Sequence, residues 1–252
     1  PALLSKAIRH AVFPGGARIR PQLTLAVANA CGNDDPQLSM ASAIAIEMIH
    51  CASLVHDDLP CFDDADMRRG QTSVHKEYGE RLAVLTGDAL IVMAYETIAA
   101  AARRSSQRLA PIIKTVSQGV GAPFGIIAGQ AWECEPQAVL TDYQRAKTGA
   151  LFAAATAAGA QAAGSDADTW KSLGEWLGEA YQVADDIRDV LGDAQFLGKP
   201  SGQDQEHHRP SSAKDLGLNG AVEHFDLLVS KAIAAIPNCQ GDGHLKKLVA
   251  FE

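Results

Sequence analysis

No two of the five cysteines stand in a C-x-x-C pair; Cys31, Cys51, Cys61, Cys134 and Cys239 are scattered singly. That argues against a structural zinc site. Their odd number and wide spacing fit a reducing compartment rather than a disulfide scaffold. A basic excess is also missing. Lys and Arg number 22 against 30 Asp and Glu, a formal charge of −8, which argues against nucleic acid as the main partner. An anionic ligand stays open, because local charge governs such a site more than net charge. Alternating Val/Ile/Thr segments of strand type are scarce, and there is no short-period repeat or obvious linker. No signal-peptide pattern opens the chain. One uncharged run, Thr148 to Ser165, is long enough to weigh as a membrane span. It is mostly Ala, Gly and Thr, with a poor drive into lipid. The expectation is a closely packed interior helix, no transmembrane segment, and a cytoplasmic location by default.

What is present is helical. The 252 residues are 47% hydrophobic and 21% charged, ordinary for a folded soluble protein. Apolar residues recur at helical spacing along most of the chain. Breakers interrupt them at Pro14-Gly15-Gly16, Gly32 to Pro36, Pro60, Gly121 to Gly125, Gly198 to Gly202 and Pro237. Between them lie roughly eight or more helix-length stretches. The reading is one all-α domain over residues 1–252, a large single-domain helical bundle, with either end open to having been trimmed.

Two segments resemble each other: "LVHDDLPCFDD", Leu54 to Asp64, and "YQVADDIRDVLGD", Tyr181 to Asp193. Each ends an apolar stretch with adjacent aspartates and more aspartate soon after. Asp185 and Asp189 are four apart and share a helix face, with Asp186 adjacent. Like charges at that spacing repel by a few tenths of a kcal/mol, roughly, unless a cation lies between them. In the first segment Asp57 and Asp58 end a helix, Pro60 turns the chain, and Asp63 returns to the same pole. All these ligands are carboxylates, without His or Cys at ligand spacing, which selects Mg²⁺ or Mn²⁺. Basic residues accompany them: Arg68, Arg69, Lys147, Lys199, Arg18 and Arg20. Carboxylate-bound metal beside guanidinium forks is what a diphosphate requires. Two such clusters face to face would clamp it as a leaving group.

The motifs "GGARIRP", "HDDLPCFDDADMRRG", "LTGDAL", "GQ", "KT" and "YQVADDIRDVLGD…GKPSGQD" stand in order along nearly the whole chain. Together they resemble the trans-isoprenyl diphosphate synthases (polyprenyl synthetases). The resemblance implies the isoprenoid synthase fold, a helical bundle around a deep central cavity, usually as a homodimer. It implies a short-chain prenyltransferase. The partners would be isopentenyl diphosphate and an allylic diphosphate (dimethylallyl, geranyl or farnesyl), condensed by ionisation, condensation and elimination with three Mg²⁺ per active site. Carried over by position, Asp57, Asp58 and Asp63 would bind metal on one side and Asp185 on the other, supported by Asp186 and Asp189. Arg68, Lys147 and Lys199 would hold the allylic diphosphate, and Arg20, His50 and Arg69 isopentenyl diphosphate. Gln182 and Thr148 fall where the family stabilises the allylic cation. Departures exist. The usual lysine of the first motif is Ala17, for which Arg18 is the candidate substitute in holding isopentenyl diphosphate. Arg209 stands where lysine is common, and His207-His208 is read as an exposed loop pair.

Product length follows from helix geometry. Ala52 and Ser53 lie one turn behind Asp57, and a turn rises about 5.4 Å, close to one isoprene unit. Both are small, so a growing tail passes them toward Ile49 and Met48, the candidates for a lower floor. The expected product is geranylgeranyl diphosphate, with twenty carbons. The Cys-Ala-Ser run resembles bacterial carotenoid-type geranylgeranyl synthases. A fifteen-carbon farnesyl synthase, with its floor on another helix, and a non-catalytic partner subunit are the competing readings.

Overall fold

The computed structural model describes residues 1–13, 15–135, 145–191 and 212–251. Helices α1 (Ala2–Val12), α2 (Ile19–Ala30) and α3 (Pro36–Asp57) come first. A two-stranded antiparallel hairpin, β1 (Met67–Arg68) and β2 (Gln71–Thr72), follows. Then come α4 (Val74–Tyr78), α5 (Glu80–Ala101), α6 (Ser106–Val120) and α7 (Ile126–Ala131), which runs into a 3₁₀ turn at Trp132–Cys134. A π-helical turn, Arg145–Gly149, leads into α8 (Ala150–Ala162); α9 (Asp168–Leu191), α10 (Ser212–Ala234) and α11 (Asp242–Phe251) complete the order. The helix breaks at Gly15-Gly16, Gly32 to Asp35, Pro60 and Gly121 to Gly125 coincide with breakers in the sequence.

Local chemistry sets the ends. Asp35 caps α3 by accepting the Leu38 amide on Oδ1 at 3.2 Å, with Pro36 in the first turn. Its Oδ2 accepts the Ser105 hydroxyl at 2.7 Å, which ties the start of α6 to the start of α3. The uncharged run of the sequence becomes α8, the middle of the bundle, in contact with α2, α3, α6 and α9. Ala155, Ala157, Ala158, Ala160 and Ala162 on it are fully buried. Small side chains let four helices approach one, and the run is therefore interior to a protein core rather than a span.

Leu38, Ile46, Ile49, Ile98, Ile112, Val116 and Leu151 form a core between α3, α5, α6 and α8. Leu23, Val27, Phe152, Trp170, Leu173 and Leu245 form a second between α2, α8, α9 and α11. By length and composition α3 and α5 are apolar enough to cross a membrane, but 67% of that stretch in α3 is buried in the bundle. In α5 only 33% is buried, and Val84, Leu85 and Val92 stand exposed on it. The end of α3, the π turn and the later turns of α9 meet at one pole, through the side-chain contacts that follow.

Candidate active site

The first aspartate group is built by the end of α3. The Asp63 amide donates to the Asp57 carbonyl at 3.0 Å and the Asp64 amide to the Leu59 carbonyl at 3.1 Å. These bonds curl the chain back and bring Asp63 over the helix end. Asp64 and Asp66 are drawn outward by Lys76, each at 3.0 Å. The hairpin then returns Arg68, whose Nε donates to Asp58 Oδ1 at 2.7 Å and whose Nη2 donates to the same oxygen. Asp58 is 1% exposed. Burial dominates its carboxyl and pushes the pKa up, against the opposing pull of Arg68. The structure thus places Asp58, read as a metal ligand, under the guanidinium of Arg68.

Asp57 differs. Its Oδ1 is buried without a hydrogen-bond partner, and Lys147 Nζ lies 3.6 Å from it. Lys147 projects from the π turn and also donates to Glu133 of the 3₁₀ turn. A π turn inserts an extra residue into a helix and is frequent at functional sites. Glu133 carries no motif signal, and only its position next to Lys147 reveals it.

The second group lies on α9. Thr148 Oγ1 donates to Gln182 Oε1 at 3.0 Å, and Gln182 Nε2 donates to Asp186 Oδ1 at 3.1 Å. Asp186 is buried at the end of this chain of bonds, which fixes the Gln182 amide so that its oxygen faces the threonine. Asp185 is more open, with Arg188 at 3.7 Å. Among the described residues no three His, Cys, Asp or Glu side chains close on one point as a cage. Asp58 pairs with Arg68 and Asp186 accepts from Gln182; Asp57 and Asp63 belong to one side of the pole and Asp185 to the other. That donor set suits a hard cation held by few carboxylates and completed by water and phosphate oxygens. The orphaned Asp57 oxygen is the atom such an ion would satisfy. Asp189 belongs to α9, but its side chain lies outside the described residues, as do Lys199, His207, His208 and Arg209.

A basic group sits beside the first aspartates. Arg20 is 8% exposed, 4.3 Å over the Phe152 ring and 5.5 Å over that of Tyr181. Its Nη1 faces His50 Nε2 at 3.4 Å, and its Nε is buried without a partner. Burial, then Arg20, Arg69, Arg68 and Arg18, hold the His50 imidazole well below its ordinary pKa, so it is neutral. Arg69 donates from Nη2 to Glu47 at 3.3 Å and from Nη1 to the Cys51 sulfur at 3.5 Å. Arg18 donates from Nη1 to Glu47 and from Nη2 to the Val12 carbonyl. Glu47 carries no motif signal in the sequence, being a single acid within "IEMIHC".

On α3, Ala52 is 1% exposed and clustered with Cys51 and Leu90, with Ile8, Val12 and Met48 against them. Ser53 is half-buried, its hydroxyl donating to the His50 carbonyl at 2.8 Å. Ile49 lies in the main core, with Met48 against it.

Comparison with known proteins places this arrangement. The family model described as polyprenyl synthetase matches residues 1–232. The chain is 55% identical over 249 residues to the geranylgeranyl diphosphate synthase of Cereibacter sphaeroides, covering 99% of this chain and 86% of that protein. It is 49% identical over 249 residues to the geranylgeranyl diphosphate synthase of Rhodobacter capsulatus, with the same coverage. Among solved structures it resembles the geranyltransferase of Helicobacter pylori complexed with magnesium and isoprenyl diphosphate. The TM-score is 0.85 at 30% identity, over 98% of this chain and 87% of that one.

Proposed function

The chain belongs to the polyprenyl synthetase family, and from that premise we propose that it joins isopentenyl diphosphate to an allylic diphosphate and releases geranylgeranyl diphosphate. It is a prenyltransferase; its relatives at 49% and 55% identity are named geranylgeranyl diphosphate synthase. The observation that carries the reading is the buried Asp57 oxygen without a hydrogen-bond partner, set at the pole where Lys147 and the Thr148–Gln182 pair also lie.

Asp57 and Asp63 on one side, with Asp185 on the other, would hold Mg²⁺, three ions by the family pattern, with Mn²⁺ as a substitute. Bound there, such ions would supply charge withdrawal from the departing diphosphate. The chain's own residues do the rest. Lys147, Lys199 and Arg68 bind the allylic diphosphate; Lys147 leaves Asp57 as that charge is taken over. Arg20, His50 and Arg69 receive isopentenyl diphosphate, for which neutral His50 offers a hydrogen bond without adding charge. The Gln182 oxygen, fixed through Asp186, and the Thr148 hydroxyl aim dipoles at the carbon that becomes positive. The exposed apolar residues Val84, Leu85 and Val92 of α5 suit a second copy of the chain, and light scattering is expected to give a dimer mass.

The test is incubation with isopentenyl diphosphate, Mg²⁺ and each allylic diphosphate in turn, followed by chromatographic sizing. Labelled farnesyl diphosphate is expected to be extended to twenty carbons. A product stopping at fifteen carbons would favour the farnesyl reading. No prenyl product from folded protein would overturn the assignment.

A further inference from the structure

One buried acid at the basic pole has no role in that chemistry. Glu47 is 8% exposed and lies on α3 one turn before His50 and Cys51. An acid weakens an anion site through its field, so its presence there needs a separate cause. Its Oε1 accepts from Arg18 Nη1, from Arg69 Nη2 at 3.3 Å and from the Cys51 thiol at 3.5 Å. Arg18 is anchored in turn, since its Nη2 donates to the Val12 carbonyl at the end of α1. The Arg69 guanidinium is closed in from the other side by Gly16, where a Cβ would lie 2.7 Å from Arg69 Cζ. Both arginines have left-handed backbones, φ 56° at Arg18 and 52° at Arg69. Such conformations persist in non-glycine residues where the surroundings over-determine them.

We propose that Glu47 is a positioning residue: braced by Arg18 against the end of α1, it fixes the Arg69 guanidinium in the pose that meets isopentenyl diphosphate. Arg18 then acts from behind Glu47, and no basic side chain replaces the lysine absent at position 17. The proposal rests on the assignment of isopentenyl diphosphate to Arg20, His50 and Arg69. Loosening a charge-assisted bond to a substrate-binding group shifts affinity by about tenfold.

The test is steady-state kinetics of the full chain, varying isopentenyl diphosphate at saturating allylic diphosphate and the reverse. In Glu47→Gln and in Arg18→Ala the KM for isopentenyl diphosphate is expected to rise about tenfold, with the allylic KM unmoved and kcat little changed. The double variant is expected to be no worse than either single one, because both act through Arg69. Glu47→Asp, which keeps the charge but withdraws it by one methylene, is expected to show the same rise and serves if Glu47→Gln fails to fold. An unchanged or lower KM for isopentenyl diphosphate, an equal rise in the allylic KM, or additive effects in the double variant would each overturn the proposal. Absence of product from the wild-type chain would overturn the functional assignment instead.

Discussion

Ala52 and Ser53 are neighbours with different surroundings, and the difference separates two effects of a bulky side chain. Ser53 is half-buried one turn behind the aspartates, so Ser53→Phe is expected to shorten the product from twenty to fifteen carbons, as read by chromatography. Ala52 is enclosed with Cys51 and Leu90. A ring there overfills a packed core, which costs about 1–3 kcal/mol, so Ala52→Phe is expected to shorten product only together with a lower melting temperature. His50 makes a second prediction. Its folded pKa lies well below the ordinary 6.5 because of burial and four arginines. The unfolded chain takes up the proton as pH falls through about 6.5, while the folded one does not, so stability falls on acidification below that pH. His50→Gln is expected to flatten the melting temperature between about pH 7 and the depressed folded pKa; equal slopes in both proteins would contradict it. The aspartates were legible because carboxylate pairs interrupt apolar helices, where charge is conspicuous. Glu47 and Glu133 were not, because each is a single acid whose meaning depends on arginine or lysine brought from elsewhere in the chain.

The elements that were legible are those marked by breakers. Proline and glycine ended α2, α3 and α6 where the sequence placed them, and the alanine-rich run is interior because small side chains fit nowhere better than between helices. The π turn was not legible: Lys147 and Thr148 read as the start of an ordinary helix, and the extra residue is set by what packs on it. That packing is tight. A Cβ on Gly129 of α7 would lie 2.4 Å from the Lys147 amide nitrogen and 2.5 Å from its Cα. Both are backbone atoms with no rotamer to yield, so Gly129→Ala must displace the turn that carries Lys147. A shift near 1 Å at a reacting group lowers turnover by about a hundredfold. Gly129→Ala is expected to show a loss of that order in kcat, and wild-type turnover in this variant would detach Lys147 from the chemistry.

At the scale of the molecule, a chain of net charge −8 gathers Arg18, Arg20, Arg68 and Arg69 at the pole where Asp57, Asp58 and Asp63 also collect. Protein side chains offset part of this charge: Asp58 pairs with Arg68, Asp57 Oδ1 lies 3.6 Å from Lys147, and Asp186 accepts from Gln182. Chelation is expected to abolish turnover while leaving the melting temperature unchanged. Mg²⁺ and inorganic diphosphate together are expected to raise it beyond either alone, since a ligand at a hundred times its Kd stabilises by about 2.7 kcal/mol. Calorimetry with and without chelator checks both, and a collapse of the melt on chelation would make the metal structural.

Gly16 has no side chain to donate, accept or carry charge, yet the Arg69 guanidinium occupies the space where one would be. Every other amino acid brings a Cβ to that space. In a library replacing each residue in turn, position 16 is expected to tolerate as little as the aspartates do. A map of intolerant positions would then rank among the reactive residues one whose contribution is the absence of a side chain.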